Sequence, residues 1–190
     1  MPAFDFVLLL LSFVFALALT HVLSRVGSLL LARKRTRFSA LQSLVIMNAV
    51  VLVYVNWLAL WLLRGIRDWD LLSITIFFVF AVCTYSFCVA AVPDVPTEGP
   101  VDLEQFYREN YRLFYGFIVL QDVAALLTNF VFLKTSDPTL FLRTNLDTLP
   151  FFLPPALAVA VAGRWAQWAA GLSLLGLSIW WLLTFSSTLR

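Results

Sequence analysis

Three ionisable side chains stand inside long apolar runs of this sequence: His21, Arg25 and Asp122. Placing such a group in hydrocarbon costs at least about 2.5–3.5 kcal/mol at a helix centre, so it usually faces a helix-bundle interior and marks an ion or proton path. Two amides, Asn48 and Asn56, occupy another apolar run. Tyr115, Asp122 and Asn129 recur every seven residues, close to two helical turns, which sets them on one stripe with Gln121 at its flank. His21 and Arg25 are four residues apart and share a helix face, with Thr20, Ser24 and Ser28 nearby. A carboxylate and an imidazole in this setting can take up and release protons. The alternative is mechanical: a carboxylate bonded to His21 or Arg25, with Asn48 or Asn56 completing the network, ties helices together.

Depth predicts a pairing. His21 lies roughly 12 Å from the far end of its apolar run, and Asp122 lies at a similar depth from the start of its own, at about 1.5 Å per residue. His21 is therefore the expected partner of Asp122, with Arg25 as the alternative one turn away. Asp122 is expected to face inward.

These residues need helices to hold them. The chain of 190 residues is 62% hydrophobic and 13% charged, with a mean hydropathy of +0.90. Soluble domains carry about 25% charged residues, so the deficit is close to half. Six stretches approach the 20 or so apolar residues that a bilayer-crossing helix needs: residues 6–31, 41–63, 71–92, 113–133, 149–162 and 165–185. None shows the alternation of a barrel strand, and backbone polarity leaves helices as the only other spanning form. The expected fold is an all-α, polytopic transmembrane bundle of about six spans in one domain. The first run lacks a basic leader and exceeds the length of a secretory signal, so it is expected to be a retained span. Pro150, Pro154 and Pro155 are expected to kink the short fifth span, which is tilted or partly re-entrant. Gly163-Arg164 is the expected turn between the last two spans.

Arg33, Lys34, Arg35 and Arg37 crowd the first loop, whereas the loops Arg64–Asp70 and Lys134–Asp147 are nearly neutral. The positive-inside rule places the first loop in the cytoplasm and both termini outside. Trp57, Trp61, Trp69, Trp180 and Trp181 then mark outer helix ends, and Trp165 and Trp168 a cytoplasmic end. The loop from Pro93 to Arg112 begins acidic, with Asp94, Glu98 and Asp102. Asp102 and Gln105 have the spacing of a capping box. Leu103, Phe106, Tyr107, Tyr111 and Phe114 follow at helical spacing, which predicts a short cytoplasmic interfacial helix running into span four. The segment either simply anchors the chain at the interface or brings the acidic loop to dock on the basic one, Arg33 to Arg37.

The ARKRTRF stretch (Ala32 to Phe38) and the PDVPTEGPVDLEQFY stretch (Pro93 to Tyr107) resemble segments of a family of six-span bacterial membrane proteins with no known activity. The resemblance implies a bacterial inner-membrane location and nothing about chemistry.

Much is excluded. Thirteen basic against eleven acidic residues leave no polycationic face for nucleic acid. One histidine gives no metal motif, and Cys83 and Cys88, five residues apart, are expected to pack as inert thiols. No P-loop, G-x-S-x-G or H-E-x-x-H pattern occurs, and no cofactor is implied. An acid–base pair of His21 and Asp122 in a lipid-modifying enzyme has no motif behind it. Two classes of function remain: a small channel or transporter for protons, ions or a small solute, acting as a homo-oligomer, and a non-transporting sensor or accessory subunit that binds a membrane partner or a lipid. Reporter fusions after Arg37 and after Arg190 should report opposite sides of the membrane; the same side for both would contradict the topology.

Overall fold

The computed structural model describes residues 3–66, 69–133, 138–146 and 148–188. It is all-α and 86% helical. The helices are α1 (Ala3–Leu31), α2 (Ala40–Ala59), α3 (Leu71–Ala91), α4 (Leu103–Leu133), α5 (Pro138–Thr144), α6 (Leu149–Ala160) and α7 (Arg164–Thr188). A 3-10 turn, Leu60–Gly65, prolongs α2. Among the described residues, five helices are long and apolar enough to cross a membrane: α1, α2 with its extension, α3, α4 and α7. Their outer faces expose Leu9, Phe13, Leu30, Leu72 and Leu183, a surface suited to lipid rather than water.

Local chemistry sets the helix starts. Ser39 accepts the Gln42 amide at the head of α2, and Asp70 accepts the Ser73 amide at 2.7 Å at the head of α3. Asp102 accepts the Glu104 and Gln105 amides at 2.9 and 3.0 Å. Only half of the expected capping box forms, because the Gln105 side chain turns away to Glu109. The interfacial segment and span four are one continuous helix, α4. Helix α5 was not anticipated, although Pro138 fits the first turn of a helix. Arg67, Asp68, Lys134 and Asp147, part of the nearly neutral loops, lie outside the described residues.

Helix α6 is about 18 Å long at 1.5 Å per residue, shorter than a bilayer core. Pro154 and Pro155 sit inside it and are buried. Neither has an N–H, so the carbonyls of Pro150 and Phe151 lose their helical donors. The helix stops at Ala160, Val161 is extended, and α7 begins at Arg164, where the turn is expected.

Helix α3 is the hinge of the packing, with α4 and α1 as its main neighbours, while α1 and α4 scarcely meet. Helix α2 contacts α1, α3, α4 and α7, and α6 packs on α4 and α7. At one end the two loops lock together. β1 (Thr36–Arg37) pairs in parallel with β2 (Val101–Asp102), Thr36 opposite Val101 and Arg37 opposite Asp102. Arg35 donates to the carbonyls of Gly99 and Pro96 at 2.8 and 2.6 Å, and Arg37 meets Asp102 at 3.0 Å. Gly99 has φ +90, which a residue with a Cβ rarely adopts, and this turns its carbonyl toward Arg35. The Ser39 hydroxyl donates to Glu104 at 2.8 Å, and Arg164 meets Glu104 at 3.4 Å. The chain therefore leaves this end along α4 and is back at it when α7 begins.

The Gln105 amide first, then Arg37 and the Glu104 amide, hold the Asp102 carboxyl below its ordinary value and outweigh the opposing effect of desolvation. A carboxyl depressed by folding stabilises the folded chain above its unfolded value and loses that contribution as pH falls. Asp102→Asn should therefore lower the melting temperature at neutral pH. The gap to wild type should close as pH drops below about 4, the ordinary range of aspartate. A gap that persists in acid would contradict this role.

Candidate functional site

The residues singled out by chemistry divide into an inner and an outer set. Asn56 on α2, Thr84 on α3 and Gln121 on α4 meet in the core. The Asn56 amide donates to Thr84 Oγ1 at 3.2 Å, and Thr84 Oγ1 lies 2.8 Å from Gln121 Oε1. The Thr84 hydroxyl also lies 3.1 Å from the Phe80 carbonyl, the usual bond of a threonine within a helix. All three polar side chains are buried. Thr84 was missed by sequence, where a lone threonine in an apolar run reads as bonded to its own helix.

A second contact joins α2 to α7. The Asn48 amide donates to the Leu44 and Gly171 carbonyls, both at 3.0 Å. Gly171 permits this approach: a Cβ there would stand 2.7 Å from Leu44 Cδ2 and 3.3 Å from the Tyr115 hydroxyl. Tyr115 thus points its phenol at the α2–α7 seam. Nearer the loop junction, the Gln42 amide donates to the Ala91 carbonyl and caps the end of α3. At the opposite end of the stripe, Asn129 donates to Asn145 Oδ1 at 2.6 Å, the residue just past α5.

Asp122 lies between these contacts. It is 6% exposed, as expected for an inward residue, yet its carboxyl has no hydrogen bond or ion pair among the described residues, and its Oδ2 is buried without a partner. The expected pairing with His21 or Arg25 does not form. The helices are not neighbours: α3 stands between α1 and α4. Arg25 pairs instead with Asp94 in the acidic loop. His21, Thr20, Ser24, Arg25 and Ser28 line an open groove of about 450 Å³ along α1, with Tyr85 of α3 in its wall.

Four buried polar atoms in the described structure lack a protein partner: Gln42 Oε1, Asn48 Oδ1, Tyr107 Oη and Asp122 Oδ2. No group of three or more metal-ligating side chains occurs among the described residues, and Cys88 is buried while Cys83 is half-buried. The chain matches no known protein family, no curated protein and no solved structure.

Thr84→Val should leave the Asn56 amide and Gln121 carbonyl unpaired and lower stability by about 1–2 kcal/mol, near the upper range for hydrogen bonds between membrane helices. Thermal unfolding in lipid nanodiscs reads this directly. An unchanged melting temperature would show that the triad holds nothing together.

Proposed function

We propose that the chain is a six-crossing protein of the bacterial inner membrane, with both termini outside, that carries protons or small ions as a homo-oligomer. Asp122 is the group that handles the charge. The reading rests on one observation: a carboxyl 6% exposed, on an inward stripe, with no protein group paired to it. A carboxyl serving only as glue would have a partner, because an unpaired polar group in a dry interior costs several kcal/mol.

The surrounding geometry supports this role. Tyr115 lies two turns from Asp122 on the same stripe, and Tyr107 lies two turns further toward the loop junction. The orphaned atoms of Tyr107, Asn48 and Gln42 lie in that same half of the bundle, where ordered water is the usual partner of such groups. A proton released at the Asp122 carboxyl would then pass along water and the two phenols toward the cytoplasm. Helix α6 makes the sixth crossing, its shortness met by local thinning of the bilayer. Its proline-freed carbonyls are the broken-helix feature often found beside intramembrane sites. The first turns of α4 lie at the cytoplasmic interface.

An alternative role, as an accessory subunit that binds a lipid or a membrane partner, is favoured by the groove on α1. Its polar side chains, Thr20, His21, Ser24, Arg25 and Ser28, offer hydrogen bonds that a lipid headgroup or a partner's polar groups would satisfy. Purified protein in liposomes with a trapped pH dye separates the two. Proton carriage predicts flux above that of empty liposomes, reduced at least about tenfold by Asp122→Asn with the fold intact. Equal flux in the variant and wild type would remove Asp122 from the path, and wild-type flux at the empty-liposome level would favour the accessory role.

A further inference from the structure

We propose that the cleft where α7 begins beside α4 binds a phosphate group, the shared chemistry of an anionic phospholipid headgroup and a free phosphate. The cleft, about 260 Å³ in volume, does not include Asp122 but shares Tyr107 with the proposed proton route, and has Glu104, Tyr107, Arg108, Arg164 and Gln167 in its walls. Glu104 draws two guanidiniums to one point: Arg108 Nη2 at 3.3 Å and Arg164 Nη1 at 3.4 Å from the same Oε1. Each guanidinium has five donors in a planar fork, so most remain directed elsewhere. The Arg108 and Arg164 side chains are 70% and 65% exposed, which leaves those donors open to a ligand. Two cations against one carboxylate give the site a net positive charge.

The backbone adds to it. The first bond of α7 is donated by the Gln167 amide to the Gly163 carbonyl, so the amides of Arg164, Trp165 and Ala166 have no acceptor within the helix. Such an end favours anions. An independent feature marks the inner wall. Tyr107 is 1% exposed, and its hydroxyl, next to that of Tyr115, is buried without a hydrogen bond of normal geometry. Gln167, 6% exposed, presents a further polar side chain. A phosphate fits these groups: two oxygens on the guanidiniums and α7 amides, and a third toward the phenol. The position suits a lipid headgroup, since Trp165 beside it is 79% exposed, as an interfacial anchor would be.

The full chain in nanodiscs tests this. In phosphatidylcholine doped with phosphatidylglycerol, native mass spectrometry should show phosphatidylglycerol retained in preference to phosphatidylcholine. Arg108→Gln with Arg164→Gln should weaken retention about tenfold or more, the usual scale for loss of charge-assisted bonds. Tyr107→Phe should weaken it about threefold while leaving the melting temperature in pure phosphatidylcholine unchanged, and it decides the matter if the double variant does not fold. Inorganic phosphate at matched ionic strength is the second arm. A rise in melting temperature with phosphate supports the site and names free phosphate as a ligand. Selective lipid retention without that rise supports the site and names the headgroup. Neither effect, or retention indifferent to these substitutions, overturns the proposal.

Discussion

The Thr84 hydroxyl is where three helices of this bundle agree. It takes the Asn56 amide from α2, faces the Gln121 carbonyl from α4, and belongs to α3, the helix on which α1 and α4 both pack. Apolar side chains around these groups offer no substitute partner, so a slip of any one helix by a residue would strand two of them. Apolar packing cannot fix register so strictly, because one leucine row fits lipid and neighbour alike. The rest of the arrangement inherits this register: Gln121 held toward Thr84 turns Asp122, the next residue, onto the adjacent inward face.

The loop junction works at a different level. Arg35 on two carbonyls, Arg37 on Asp102, and Ser39 and Arg164 on Glu104 bring four helix ends together in water-exposed surroundings. Surface ion pairs contribute only about 0–1 kcal/mol each. Their value is directional. They place the heads of α2, α4 and α7 side by side, and so put the phenols of Tyr107 and Tyr115 at the seam that leads inward.

The sequence carried the helices well and their partners poorly. Long apolar runs require helices in a bilayer whatever their neighbours, and Gly163 stops one run where the structure stops it. The docking of the basic loop on the acidic one was one of two readings that charge allowed, and neither Arg35 on the Gly99 and Pro96 carbonyls nor the strand pair was legible. The expected His21–Asp122 pairing does not form, because residue counting gives depth and says nothing of which helix intervenes. Thr84, Gln42 and Gly171 escaped for a related reason: a threonine, a glutamine near a helix start and a glycine carry a strong signal only once the facing helix is known. The seven-residue stripe of α4 did survive. Tyr115 and Asp122 are buried and Asn129 is half-buried.

The account turns on a polar interior that admits water to an unpaired carboxyl. Removing the two native thiols, introducing Asp122→Cys, and exposing sealed membranes to a small charged thiol reagent from each side measures that access directly. The account predicts labelling at this position from the side of the basic loop, with Tyr115→Cys labelled faster. A thiol at position 122 that stays unreactive from both sides, while one placed at Glu98 reacts, would contradict it.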